Sequence, residues 1–188
     1  QNDIDISMRQ VLKTKEKTLI AEKCSQHIQS GDSIFLDGST TCWFVARRLA
    51  NKNLTVLTTS LQIATILAAS PTISLILIGG AFSPKSMAFL GDNACRALSN
   101  YYVDKAFISC RSVSMENGLT DVSEGEAAIH RLITQRSNRT YLVVDHSKVG
   151  PTSFAFACGL DSIDAMICDK PLPQEWQDYL SGKNIAFY

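Results

Sequence analysis

The chain has 188 residues, of which 45% are hydrophobic, and its 18 Lys and Arg side chains are balanced by 18 Asp and Glu side chains. This length and apolar content suffice for a buried core, while the formal net charge of zero argues against a nucleic-acid-binding surface, which usually carries a basic excess. No apolar run is long enough for a membrane span and no signal peptide opens the chain, so we expect no membrane partner.

The first half of the chain alternates between helical and strand patterns. Ile20, Cys24 and Ile28 lie at helical spacing before Gly31, and short runs rich in β-branched and aromatic residues indicate buried strands. Residues 1–12 are polar with little periodicity and are interpreted as a linker. In chain order, the predicted elements are a helix over residues 13–29, a strand over 33–36, a helix over 41–50, a strand over 54–57, a helix over 61–69 and a strand over 73–78.

The second half continues the same alternation. Its predicted elements are a helix over residues 92–99, a strand over 103–109, a helix over 124–136, a strand over 140–144, a strand over 164–168, a helix over 174–180 and a strand over 185–188. Apolar strands that alternate with helices are typical of a parallel sheet covered on both faces. We therefore predict an α/β fold, with a mostly parallel Rossmann-like sheet, helices on both faces and a small additional C-terminal α/β portion.

The loop after the first predicted strand is the most informative local sequence. It reads Asp37, Gly38, Ser39, Thr40 and Thr41, directly before a predicted helix. Unpaired N–H groups and the helix dipole favour an anion at such a position, and glycine lets an oxyanion approach the backbone. One of the hydroxyls could simply cap the helix. Because capping needs only one hydroxyl, we interpret the loop as a phosphate-type binding site.

Polar residues also follow the other predicted strands. Ligands bind outside the carboxyl ends of the strands in such sheets, because the connecting loops meet there. Each loop by itself is ordinary turn chemistry, but together they predict a polar pocket with donors for a phosphate and for sugar hydroxyls. Lys148 is expected to contact the ligand, whereas Lys85 need not. The loops are Thr58-Thr59-Ser60, then Gly79-Gly80 followed by Ser83 and Lys85, and finally Asp145-His146-Ser147-Lys148.

The six cysteines and three histidines form no metal or redox pattern. No two cysteines are spaced as C-x-x-C, and His27, His130 and His146 are dispersed along the chain. Most cysteines have apolar neighbours, which predicts buried thiols and a reducing, cytoplasmic location. We therefore expect no metal site and no cofactor.

Short motifs follow one another in a fixed order along nearly the whole chain. They are Lys15-Glu16, Gly31-Asp32, Asp37-Gly38-Ser39-Thr40-Thr41, Leu54-Thr55-Val56-Leu57-Thr58-Thr59-Ser60, Ile78-Gly79-Gly80, Asp104-Lys105-Ala106-Phe107, Gly118-Leu119-Thr120, Glu126-Ala127 and Asp145-His146-Ser147-Lys148. In this order and spacing they resemble the C-terminal sensor domain of DeoR-family transcriptional repressors. The resemblance implies the effector-binding domain of a repressor of sugar metabolism, with a phosphorylated sugar or sugar acid as its effector.

The resemblance also implies a division into domains. Members of the family carry a winged helix-turn-helix before the sensor, so residues 1–12 are interpreted as the linker from such a domain and residues 13–188 as the sugar-phosphate-sensing domain. Operator DNA would be contacted only through that N-terminal domain. Because operator half-sites mirror the symmetry of the protein, we expect a homo-oligomer, either a dimer or a tetramer.

An enzyme is the alternative function. The sensor fold of this family is similar to ribose-5-phosphate isomerase, glucosamine-6-phosphate deaminase and the CoA transferases, and isomerisation needs a carboxylate base and groups that stabilise an enediolate. Where the isomerases carry paired carboxylates, residues 109–114 contain none. Glu126 matches their base and Lys148 matches a phosphate contact, although Glu126 could equally be a solvated carboxylate near a helix start. We interpret both as ligand contacts and predict no catalytic residues.

Arg111 departs from the family pattern, in which Gly and Ala usually follow this strand. Its planar guanidinium suits a phosphate or carboxylate, and it could equally be a surface charge. The predicted ligand-binding residues are Asp37, Gly38, Ser39, Thr40, Thr41, Thr59, Ser60, Gly79, Gly80, Arg111, Glu126 and Lys148.

Overall fold

A seven-stranded parallel sheet organises the chain, of which a computed structural model describes residues 4–188. In chain order, the strands are β1 (Ser33–Leu36), β2 (Leu54–Thr58), β3 (Ile73–Leu77), β4 (Ala81–Ser83), β5 (Ala88–Leu90), β6 (Val103–Ile108), β7 (Ser112–Ser114), β8 (Gly118–Asp121), β9 (Ser137–Val143), β10 (Ala155–Cys158), β11 (Ala165–Ile167) and β12 (Ala186–Phe187). The α-helices are α1 (Ile6–Arg9), α2 (Thr14–Gln26), α3 (Thr40–Ala46), α4 (Leu61–Leu67), α5 (Asp92–Leu98), α6 (Glu124–Thr134) and α7 (Gln174–Gly182).

The strands of the central sheet are ordered β12-β11-β9-β6-β1-β2-β3, and every neighbouring pair is parallel. This confirms the predicted α/β class and the parallel, Rossmann-like sheet. The C-terminal portion extends one edge of this sheet, since β11 pairs with β9 and β12 pairs with β11. All the carboxyl ends of the parallel strands lie on one side of the sheet, where the loops after β1, β2, β6 and β9 converge.

Two hydrophobic layers cover the faces of the sheet. In β1, Ile34 and Leu36 pack into one layer with α2, α3 and α4, while Phe35 packs into the other with α5, α6 and α7. This division follows from the alternation of side chains along a strand. All three side chains are fully buried, which explains why β1 shows an unbroken apolar run in the sequence.

The sequence patterns did not indicate two small sheets. One is the β4–β5 hairpin and the other is the antiparallel sheet β10-β8-β7. Their strands have only three or four residues, which is too short for an alternating pattern to stand out. Helix ends also differ, since α3 ends at Ala46 rather than at residue 50.

The segment predicted as a linker has structure within the described residues. Its residues 6–9 form the one-turn helix α1, whose N-terminus is capped by the Asp5 side chain, and Ile6 is buried against the body of the protein. Ile6 is the one buried side chain of this helix, and a single buried position produces no helical periodicity that a sequence pattern could reveal. Residues 1–3 of the predicted linker lie outside the described residues.

Candidate ligand-binding site

A cavity of about 280 Å³ lies at the carboxyl edge of the central sheet. The loops after β1, β2, β6 and β9 supply much of its wall, and α6, β5 and the N-terminal segment supply the rest. A cavity of this size suits a small metabolite. Its lining residues are Arg9, Leu12, Lys13, Lys17, Asp37, Gly38, Ser39, Thr40, Thr41, Thr59, Ala88, Leu90, Ser109, Cys110, Arg111, Asp121, Val122, Glu126, Ile129, His130, Asp145, Ser147 and Lys148.

A buried chain of charged groups forms the floor of the cavity. The Nε2 atom of His130 lies 2.9 Å from Oδ2 of Asp37, and its Nδ1 atom lies 2.8 Å from Oδ2 of Asp121. Asp37 also accepts hydrogen bonds from the backbone N–H groups of Ser39 and Ser109, at 3.0 and 2.7 Å. The network therefore ties the loop after β1 to the loop after β6 and to α6.

The two carboxylates hold His130 in its protonated form. Burial alone would lower the pKa of His130, but the charges of Asp121 and Asp37 and their hydrogen bonds raise it well above its usual value. Burial alone would raise the pKa of Asp37, yet the bonds from His130 and Ser39 lower it to about 2. His130 therefore occupies one oxygen of each carboxylate with a partner inside the protein.

The hydroxyl groups of the loop after β1 have different roles. Ser39 is the N-cap of α3, because its Oγ accepts the N–H of Cys42 at 3.1 Å while donating to Asp37 at 2.5 Å. Thr40 and Thr41 are buried at the cavity wall, and neither hydroxyl has a hydrogen-bond partner among residues 4–188. Ser39 therefore satisfies the capping role, while Thr40 and Thr41 remain able to bond a ligand.

Cationic side chains surround the rest of the cavity. Burial lowers the pKa of Lys148, an effect that nearby Asp145 opposes, and its ammonium group has no hydrogen-bond partner within the described chain. Burial likewise lowers the pKa of Lys17 to about 8. Arg9 and Arg111 also line the cavity. Buried cations of this kind favour an anionic occupant, since an opposite charge restores their protonated form.

One acidic side chain of the cavity has no basic partner in direct contact. Glu126 stands in the first turn of α6, and burial raises its pKa, with the charge of Asp121 adding to that effect. Its carboxyl group has no hydrogen-bond partner among residues 4–188. The cavity therefore offers hydroxyl donors, ammonium donors and a carboxyl group to an occupant.

The family of the chain follows from its sequence. The family model described as "DeoR C terminal sensor domain" matches residues 12–170. The chain belongs to this family. It is 36% identical over 185 residues to the uncharacterised HTH-type transcriptional regulator YulB of Bacillus subtilis, covering 98% of this chain and 72% of that protein. It is 28% identical over 178 residues to the glycerol-3-phosphate regulon repressor of Escherichia coli, covering 94% of this chain and 71% of the repressor.

Solved structures share the fold of this sensor domain. Ribose 5-phosphate isomerase A from Methanocaldococcus jannaschii superposes with a TM-score of 0.52 at 19% sequence identity, over 71% of this chain. The sensor domain spans 53% of that isomerase chain. At this identity the likeness concerns the backbone arrangement alone. The sequence relatives are named as transcriptional regulators, and the chain matches their sensor domain over residues 12–170.

Nine of the twelve residues that the sequence singled out line the cavity of the sensor domain. Ser60, Gly79 and Gly80 do not. Ser60 is fully buried and caps α4, because its Oγ accepts the N–H of Ile63 at 3.1 Å. At Gly80 a Cβ atom would lie 2.6 Å from the carbonyl oxygen of Leu90, so glycine is needed there for close packing against the β4–β5 hairpin.

Several residues of the cavity were not anticipated from the sequence. His130 was treated as an isolated histidine, yet it lies one helical turn after Glu126 on the same face of α6. That spacing was a usable signal. No sequence signal pointed to Asp121 or Arg9. Asp121 reaches the cavity from the short strand β8, and Arg9 reaches it from the segment interpreted as a linker.

The cysteine side chains lie mostly in the protein interior. Five of the six cysteines are buried, as predicted, and Cys95 is half-buried. Among residues 4–188 no group of three His, Cys, Asp or Glu side chains could hold a metal ion. No helix in that part of the chain has the length and apolar content to cross a membrane.

Proposed function

We propose that this sensor domain binds a phosphorylated sugar or sugar acid as the effector of a repressor of sugar metabolism. The observation that carries the proposal is the position of Lys148, a half-buried ammonium group with no hydrogen-bond partner among residues 4–188, in the same cavity as the unpaired hydroxyls of Thr40 and Thr41. A phosphate group supplies acceptors for all three donors. The remaining polar groups of the cavity, including Thr59 and Glu126, suit the hydroxyl groups of a sugar.

The charge of the cavity supports an anionic ligand. Desolvation lowers the pKa values of buried Lys17 and half-buried Lys148 below their usual range. The carboxylates of Asp37 and Asp121 do not neutralise them, because both pair with His130. Binding a phosphate dianion would compensate the buried positive charge, whereas a neutral sugar would leave it uncompensated.

Regulation would follow from differential binding. If the effector binds one arrangement of subunits more tightly, it shifts the population towards that arrangement and changes the position of DNA-binding domains attached to the sensor. This requires a homo-oligomer, dimer or tetramer, joined to a winged helix-turn-helix that contacts the operator. Similarity to the glycerol-3-phosphate regulon repressor of Escherichia coli supports a phosphorylated effector.

An enzymatic function is less well supported by the cavity. Glu126 has the raised pKa of a potential general base, and the fold is that of an isomerase. However, Asp37 and Asp121 are occupied by His130, and Asp145 accepts hydrogen bonds from Ser147. One unpaired carboxyl group is sufficient for a ligand contact, but it does not provide the set of acid, base and enediolate stabiliser that isomerisation requires.

Calorimetric titration of ribose 5-phosphate, glycerol 3-phosphate, 6-phosphogluconate and inorganic phosphate tests the proposal. Phosphorylated ligands should bind, and their unphosphorylated counterparts should bind far more weakly. Lys148→Met keeps the aliphatic stem and removes the charge, which should weaken binding by about 1.5–3 kcal/mol, or roughly 10- to 150-fold. The double change Thr40→Ala and Thr41→Ala should also weaken binding, because it removes two hydroxyl donors.

The exposed residue Lys170 provides the matched control, because it does not line the cavity. Lys170→Met should bind each phosphorylated ligand with the affinity of the unmodified chain. Equal affinities for Lys148→Met and Lys170→Met at low salt, where charge contacts are least screened, would contradict the phosphate site.

A further inference from the structure

Residues 4–13, here called the N-terminal arm, pack over one side of the cavity. The arm is attached to the body by few contacts. The side chain of Ile6 is 1% exposed within the core layer of α2, α3 and α4, and its backbone N–H donates to the carbonyl of Lys85 at 3.2 Å. By contrast, Met8 and Val11 are 59% and 67% exposed. A four-residue helix has little stability of its own, so these attachments decide where the arm lies.

Lys17 fixes the arm from beneath. It lies in the first turns of α2, and its side chain is almost fully buried. Its ammonium group donates to the carbonyl oxygens of Arg9 and Leu12, at 2.6 and 2.8 Å. The same lysine lines the cavity, so one side chain is shared between the position of the arm and the contents of the site.

Arg9 places a guanidinium group at the cavity wall. Its Nε atom is buried and has no hydrogen-bond partner among residues 4–188. A buried N–H group without an acceptor is rare in proteins and costs free energy, which calls for an acceptor at that position. The planar fork of arginine matches the oxygens of a phosphate or a carboxylate. Lys13 lies on the same wall and adds a second positive charge from the arm.

We propose that Arg9 is a ligand of the effector's anionic group, and that the arm closes over the occupied cavity. This deepens the proposed function and rests on it. The effector would stabilise the position of the arm seen here, because Arg9 gains an acceptor only when the cavity is filled. By thermodynamic linkage, any event that pulls the arm away from the body weakens effector binding by the same factor. The arm therefore links the occupancy of the cavity to whatever lies upstream of it in the regulator.

Calorimetry and limited trypsin digestion test this proposal, with inorganic phosphate and ribose 5-phosphate as probes. Arg9→Met should weaken the binding of both probes about tenfold or more, whereas Arg9→Lys, which keeps the charge without the fork, should lose less. Arg96→Met is the control, because Arg96 is exposed on α5 and does not line the cavity. Either probe should slow cleavage after Lys13 several-fold in the unmodified chain and in Arg96→Met, but not in Arg9→Met.

The results separate this proposal from the one on which it rests. If neither probe binds the unmodified chain, the phosphate site is wrong and the role of Arg9 is wrong with it. A second outcome separates the two proposals: the probes bind, Lys148→Met weakens their binding, but Arg9→Met binds them as tightly as Arg96→Met does. If cleavage after Lys13 is then equally fast with and without a probe, the sensor function stands and the arm proposal is overturned. The arm proposal is supported if Arg9→Met binds the probes more weakly and if the probes no longer slow cleavage after Lys13 in that variant.

Discussion

Replacing Asp37 by Asn tests the buried charge network beneath the cavity. The Oδ1 atom of Asp37 accepts the N–H and hydroxyl of Ser39, and Oδ2 accepts the N–H groups of Ser109 and His130. Asn has one oxygen and one NH2 group in the same volume. Whichever way the amide turns, an NH2 group faces two donors that have lost their acceptor.

The structure gives the size of the effect. Two hydrogen bonds to a buried carboxylate are lost, together worth about 3–6 kcal/mol, and the cost of removing one partner of a buried ion pair, about 3–5 kcal/mol, is a second estimate of the same loss. We therefore expect Asp37→Asn to lower the free energy of unfolding by about 3–5 kcal/mol. With an urea m value of about 2 kcal/mol per M, the unfolding midpoint should fall by roughly 1.5–2.5 M.

The pH dependence makes this prediction specific to the network. The folded pKa of Asp37 lies at about 2, below its ordinary 3.8, so its stabilisation is present above pH 3.8 and is lost as the pH falls towards 2. The folded pKa of His130 is raised above its ordinary 6.5, so its stabilisation is complete below pH 6.5 and declines as the pH rises through the folded pKa. The difference between the unmodified chain and Asp37→Asn should be largest between about pH 4 and 6.5 and should narrow above that range.

Urea unfolding followed by circular dichroism between pH 4 and 9 measures both the size and the pH profile. The control is Asp178→Asn, since Asp178 is exposed on α7 and should change stability by less than about 0.5 kcal/mol. Two results would refute the reasoning: equal midpoints for the Asp37 and Asp178 variants, or a difference that widens above pH 7.

Two further predictions concern the cavity itself. Because burial holds the pKa of Lys17 at about 8 and a bound anion should raise it, phosphate binding at pH 8 to 8.5 should take up protons, and affinity should fall as the pH rises through that range. Calorimetry in two buffers of different ionisation enthalpy measures this uptake, and identical heats in both buffers would argue against it. Incubation with ribose 5-phosphate in deuterated water should show no protein-dependent exchange at the carbon next to the carbonyl; exchange that disappears in Glu126→Gln would instead identify an enzyme.

Local sequence determined the elements that build the sheet. The apolar run of β1 is fully buried on both sides, so its composition alone indicates a central strand. The loop from Asp37 to Thr41 could be placed at a cavity because carboxyl ends of parallel strands meet at one edge of a sheet, which is a property of the fold class. The same property of the fold class predicted Thr59 and Lys148 at this edge, whereas Arg111 was predicted from its departure from the family pattern; all three line the cavity.

Tertiary structure decided which polar groups meet inside the cavity. Asp37 lies 93 residues before His130, and the hydrogen bonds that join Asp37, Asp121 and His130 depend on distances that no local pattern encodes. Gly80 looked like a phosphate-binding glycine but serves close packing, because the same residue type satisfies either demand. Arg9 reaches the cavity because Ile6 is buried in the core and its N–H bonds the distant Lys85 carbonyl, while the hydrogen bonds from Lys17 hold the arm in place. The sequence thus determined where a site would form, while packing and burial decided which side chains and charges it contains.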